Sequence, residues 1–118
     1  MAEGELAVVQ KTYDLVRWSC GHLGKFPRDL RFTLGERIER RLYDLLEALI
    51  QARYTRERAG LLRQANLSLE VLRYQLRLAH DLQCLRANSY GHATESLHEI
   101  GRLVGGWLRG VAGGPPRG

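Results

Sequence analysis

The 118-residue chain is long enough to bury one hydrophobic core but not two, so a single domain is expected. It is 44% hydrophobic and 26% charged with only three prolines, and no apolar run approaches the roughly 20 residues that cross a bilayer, so no membrane role is expected. Eighteen basic residues, sixteen of them Arg, stand against thirteen acidic ones, and the net charge of +5 is the footprint of a protein that meets an anionic polymer.

The opening MAEGELAVVQ carries acids where an export signal would carry basic residues, so a cytoplasmic location is expected. The first predicted helix runs from about Glu5 to His22, with Leu6, Val9, Tyr13, Val16 and Cys20 as its apolar stripe. Gly21, Gly24 and Pro27 then punctuate a turn. A second helix starts at Asp29 or at Thr33, where Glu36 completes a capping-box spacing, and runs to Tyr54. Its expected buried stripe is Leu34, Ile38, Leu42, Leu45 and Leu49, widened by Leu46 and Ile50.

The third predicted helix, about Glu57 to Leu85, has two apolar stripes. Leu61, Ala65, Leu69, Leu72, Leu76 and Ala79 form one; Leu67, Val71, Tyr74, Leu78 and Leu82 form another on a different side. Between them lie Arg63, Asn66, Glu70, Arg73, Arg77 and Asp81. A helix on the surface of a monomer needs one stripe, so two predict either a central helix covered on both sides or one that also faces another subunit. The fourth helix spans about Ser89 to Arg109, with Leu97, Ile100, Val104, Trp107 and Leu108 on one face. Gly101 and Gly105, costly inside a helix, predict close approach of a neighbouring backbone. The expectation is an all-α, antiparallel four-helix bundle over residues 1–109, followed by a disordered Gly/Pro-rich tail at 110–118.

Nothing in the chain groups an acid, a base and a nucleophile, so neither catalysis nor a cofactor is expected. Gly105 and Gly106 lie inside a helix and do not form a phosphate loop. Carboxylates pair with arginines at ordinary helical spacing, Glu36 with Arg40 and Glu70 with Arg73. Cys20, His22, His80 and Cys84 would suit a Cys2His2 zinc site stereochemically if the two helix ends met. Their wide spacing, in a bundle that needs no metal, favours core and surface roles, and no metal site is expected. A Cys20–Cys84 disulfide is expected even less in a reducing compartment.

Lys25, Arg28 and Arg31 gather at the start of the second helix. Arg37 and Arg41, and again Arg73 and Arg77, stand one turn apart, where like charges repel unless something anionic lies between them. For any one arginine a solvated face neutralised by Glu36, Glu39, Asp44 or Glu70 competes. As a set, Arg28, Arg31, Arg37, Arg41, Arg73 and Arg77 are the candidates for salt-dependent contact with backbone phosphate. Trp18, Tyr74 and Trp107 sit at helical spacing that suits core or interface positions better than base stacking.

Three stretches carry a family resemblance: FPRDLRFTLGERIERRLYDLLEALIQARY (Phe26 to Tyr54), LRQANLSLEVLRYQLRLAHDL (Leu62 to Leu82) and LHEIGRLVGGWL (Leu97 to Leu108). In order and spacing the chain resembles the accessory variability determinant (Avd) proteins of diversity-generating retroelements. These belong to a wider four-helix-bundle family that includes proteins encoded in ribosomal RNA intervening sequences. The resemblance implies a basic, barrel-like homopentamer without polymerase activity. It implies as partners the element's reverse transcriptase and its template RNA, copied with errors into cDNA. By position it singles out Arg73 and Arg77 in the LRxxLR run and Arg28 after Pro27 as nucleic-acid contacts. It also gives the second stripe a use, placing Leu67, Val71, Tyr74 and Leu78, with part of the Trp107 face, against a neighbouring subunit. The competing reading keeps the fold and drops the retroelement: a basic bundle of the rRNA intervening-sequence type with a structural or RNA-associated role.

Overall fold

The computed structural model describes residues 2–112, with side chains for 4–111, and no strand occurs among the described residues. The helices are α1 (Ala2–Leu23), a single turn α2 (Arg28–Leu30), a π-helical turn (Arg31–Gly35), α3 (Glu36–Arg53), α4 (Ala59–Asp81) and α5 (Ala87–Ala112). Among the four long helices, α1 packs on α3 and α5, and α4 packs on the same two, so α1 and α4 occupy opposite corners. Each long helix runs antiparallel to its neighbours, which is the expected four-helix bundle. α5 continues through Gly110 to Ala112, three residues beyond the expected boundary, because glycine weakens a helix without ending it. Residues 113–118 of the expected disordered tail lie outside the described residues.

The core follows the predicted faces on three of the four helices. Ile38, Leu42, Leu45 and Leu49 of α3, Leu69, Leu72 and Leu76 of α4, and Leu97, Ile100 and Val104 of α5 are all buried. Ile50, expected to widen the α3 stripe, is exposed on its flank. On α1 the expected stripe is rotated from the true one. Leu6, Tyr13 and Cys20 are exposed, and the buried line is Val8, Thr12, Leu15, Val16, Ser19 and Leu23. Thr12 and Ser19 conceal that line from a hydrophobicity count. Thr12 is tolerated inside because its hydroxyl donates to the Val8 carbonyl at 2.8 Å, leaving no unpaired donor.

The α1–α3 connection closes one end of the core with Phe26, which is buried. A side chain at Gly35 would reach the Leu30 carbonyl at 3.4 Å and the Phe26 ring at 3.5 Å, ordinary contact distances, so the π turn lies directly over that ring. Thr33 does not cap a helix here. Its hydroxyl donates backward to the Asp29 carbonyl at 2.9 Å, because the chain is already helical from Arg28 and the Glu36 amide that a cap would hold already donates to the Thr33 carbonyl.

α4 stops at Asp81, four residues short of the expected Leu85, without a glycine or proline to mark the place. Gln83 adopts φ of 66°, its amide donates to the His80 carbonyl at 2.9 Å, and the Cys84 amide donates to the Ala79 carbonyl at 2.8 Å. This is a Schellman stop with a non-glycine residue in the left-handed position. Relieving that strain with Gln83→Gly is expected to stabilise the fold by about 1 kcal/mol, read as a rise in the thermal midpoint. An unchanged or lower midpoint would show the strain to be negligible.

Gly101 admits a side chain, not a backbone. A Cβ there would stand 3.0 Å from the Arg73 Nη2 and 3.7 Å from a Leu69 methyl of α4. A Cβ on Gly105 would meet only the tip of Arg109, from its own helix, so the expected backbone approach is absent at both.

Candidate functional site

The structure separates the two stripes of α4. The first forms the centre of the core, while the second faces away from the rest of the chain: Leu67 is 61% exposed, Tyr74 64% and Leu78 47%, with Leu82 also exposed and Val71 half-buried. These residues leave an apolar line along the outward side of α4 that no other part of the described chain covers. Trp107 does not join it. That ring is half-buried against the core at the far end of α5, with the Arg58 guanidinium 5.9 Å from its centroid and Arg58 also paired to Glu5 at 3.5 Å.

The six candidate arginines fall into three groups. Arg73 and Arg77 border a cleft of about 240 Å³ between α4 and α5 that is also lined by Glu70, Tyr74, Tyr90 and Thr94. Arg73 is half-buried, and its Nη1 donates to Glu70 at 2.8 Å, one of the two ion pairs expected from spacing. The other, Glu36 with Arg40, does not close to 4 Å. Arg77 is exposed, with no acidic partner within that distance among the described residues. The cleft therefore holds one partly neutralised guanidinium, one uncompensated one and two tyrosine rings. That combination suits a phosphate with an adjacent base.

Arg37 and Arg41 lie on α3, exposed and half-buried respectively, away from that cleft. Arg28 and Arg31 sit at the closed end of the bundle, where Arg31 donates to the Gly24 carbonyl at 3.2 Å and lies 4.8 Å from the Phe32 ring centroid. Sequence reading missed a residue at this same end. Arg86, immediately before α5, joins Lys25, His22, Gln83 and Ser89 around a polar cleft of about 480 Å³. No sequence pattern marks it: α5 starts at Ala87, two residues before the expected Ser89, and only the fold brings Arg86 beside Lys25.

The four residues weighed for zinc have other neighbours. Cys20 Sγ lies 3.8 Å from the Tyr43 hydroxyl, His22 stacks on Trp18 at 3.9 Å, and His80 stacks on Tyr90 at 4.6 Å. Cys84 lines the bundle-end cleft, where burial and then the nearby Asp29 push its thiol above the usual range. Both cysteines are free thiols. No group of three or more His, Cys, Asp or Glu among the described residues is placed to hold a metal ion.

Tyr43 donates to Glu39 Oε2 at 2.6 Å. That bond, with Cys20 beside the hydroxyl, holds the phenol well above the ordinary tyrosine range. Because the neutral phenol is the favoured form, the stabilisation is complete below about pH 10, the ordinary value, and is lost as pH rises through the raised one. In a spectrophotometric titration one tyrosine is therefore expected to ionise after the rest, and Tyr43→Phe to remove that late step. A variant that leaves the late step in place would assign it elsewhere.

No helix among the described residues is long and apolar enough to cross a membrane. No curated protein matches the chain. The bAvd-like family matches residues 6–111, from the second turn of α1 to the last turn of α5. The match takes in the exposed α4 stripe, the arginine cleft and the bundle-end cluster together, and the chain belongs to the bAvd-like family.

Proposed function

We propose that the protein is a non-catalytic accessory protein of a diversity-generating retroelement. It assembles as a homo-oligomer, a pentamer on the family pattern, and binds the element's reverse transcriptase and template RNA in the cytoplasm to support mutagenic cDNA synthesis. The family match over nearly the whole chain carries this reading. The basic charge and the uncovered apolar line on α4 support it physically. Within this reading the Arg73–Arg77 cleft takes RNA phosphate, with Tyr74 and Tyr90 beside it, and Lys25 and Arg86 around the bundle-end cleft form a second contact, with Arg28 and Arg31 on the neighbouring connection. Sequence discrimination is left to the reverse transcriptase, because phosphate contacts position a protein without reading bases.

The test is co-expression with the reverse transcriptase and template RNA of the same locus. Capture of the tagged chain is expected to bring down both, and omission of the chain to abolish mutagenic cDNA. Undiminished cDNA synthesis without it would end this reading.

A further inference from the structure

The α4 stripe is not the only uncovered apolar surface. The Cys20–Tyr43 approach at 3.8 Å fixes which edges of α1 and α3 meet on the outside of their seam. Seven residues back along α1 from Cys20 is Tyr13, and seven further is Leu6. Seven residues on from Tyr43 in the antiparallel α3 is Ile50. A seven-residue step returns a helix to nearly the same side, so these residues line one seam. Leu6, Tyr13 and Ile50 are 52%, 50% and 40% exposed, with half-buried Val9 and Leu46 between them.

α3 separates the two surfaces, and its two edges differ in charge. Glu36, Glu39, Asp44 and Glu47 border Tyr43 on the side of the seam, with Arg40 the one cation among them. By helical phase Arg37 and Arg41 lie on the opposite edge, toward α4. On α4 the contact of Arg73 with Gly101 turns the Arg73 side toward α5, which leaves Val71 on the side of α3. The exposed stripe is thus bordered by Arg37 and Arg41, and the seam by a mainly acidic edge of α3 that includes Arg40, with Arg17 one turn from Tyr13 on α1.

We propose that the two surfaces are the halves of one heterologous contact between copies of this chain. The Leu67–Val71–Leu78 stripe of one copy seats on the Leu6–Tyr13–Ile50 seam of the next, and Arg37 and Arg41 meet Glu36 and Glu47 across the rim. The inference rests on the oligomer in the functional reading and adds which faces join. Pairing two α4 stripes about a two-fold axis would instead leave the seam bare in both copies, and an axis running across the helices would also bring their Arg37–Arg41 edges together. The surfaces open from adjacent sides of a four-cornered bundle, at about a right angle, so head-to-tail repetition turns and closes a small ring. α3 faces the inside of that ring. The Arg73–Arg77 cleft, between α4 and α5, stays outside and open, while Arg37 and Arg41 are assigned to the rim and not to RNA.

Two double variants at exposed positions test the pairing: Leu67→Glu with Leu78→Glu, and Tyr13→Glu with Ile50→Glu, each checked for native helical signal and weighed in solution. Each alone is expected to be monomeric, and an equimolar mixture to give a 1:1 heterodimer, since one intact contact remains between them. If the native chain assembles but the Tyr13/Ile50 variant assembles equally well, or if the mixture stays monomeric, the pairing is wrong while the oligomer stands. A monomeric native chain would overturn both. Charge reversal gives a second, milder readout. Arg37→Glu with Arg41→Glu is expected to weaken assembly at least tenfold, and adding Glu36→Arg with Glu47→Arg to the same chain to restore it. No recovery would count against the rim contacts.

Discussion

Reversing both cleft arginines, Arg73→Glu with Arg77→Glu, is expected to weaken RNA binding about a hundredfold and to flatten its salt dependence. Charge-assisted contacts to phosphate contribute about 1.5 kcal/mol or more each, roughly tenfold apiece. Two lost phosphates lower the slope of log affinity against log salt by about 1.4 for single-stranded RNA. The two residues are not equivalent. Arg73 already donates to Glu70, so its charge is partly spent within the chain, whereas Arg77 has no acidic partner within 4 Å among the described residues. Arg77→Glu alone is therefore expected to cost more affinity than Arg73→Glu alone. Titration of labelled template RNA at several salt concentrations reads both effects, with circular dichroism to verify the fold. An unchanged slope in the double variant would remove the cleft from the RNA surface.

The parts of this molecule that were legible in the sequence are those where a single physical signal dominates. Helical periodicity does not need a partner to be read: on α3, Ile38, Leu42, Leu45 and Leu49 step by three and four and all are buried. The doubly apolar α4 was legible for the same reason, and the structure divides its two stripes as the spacing predicts. On α1 the signal is weaker, because Thr12 and Ser19 occupy core positions while Leu6 and Tyr13 lie on a flank, so a count of apolar residues selects the wrong side. The α4 stop was hidden because the left-handed position holds Gln83 and not glycine. The site was only partly legible. One-turn spacing identifies Arg73 and Arg77 as a pair, but only the crossing of α5 supplies Tyr90 and Thr94 to their cleft, and only the bundle-end connections bring Arg86 beside Lys25.

The second large effect separates the two stripes of α4 by what each stabilises. Leu72 is fully buried, and Leu72→Ala leaves a cavity that the surrounding helices fill incompletely. The cost is about 2–5 kcal/mol, against roughly 5–15 kcal/mol for the whole stability of a domain this small. At about 4 °C per kcal/mol the thermal midpoint should fall by about 8–20 °C at every protein concentration. Leu67 is the same side-chain type on the same helix, but it is exposed within the chain. Leu67→Ala should change the intrinsic stability of one copy by no more than about 0.5 kcal/mol. Its effect appears where assembly is linked to folding, because association raises the midpoint with concentration and loss of the contact removes that rise. The native chain is expected to melt higher as it is concentrated, Leu67→Ala to melt at the native dilute value throughout, and Leu72→Ala to melt low throughout. A Leu67→Ala variant that lost as much stability as Leu72→Ala at the lowest concentration would mean that this stripe supports the bundle itself, and that the outward face of α4 is not a surface for another copy.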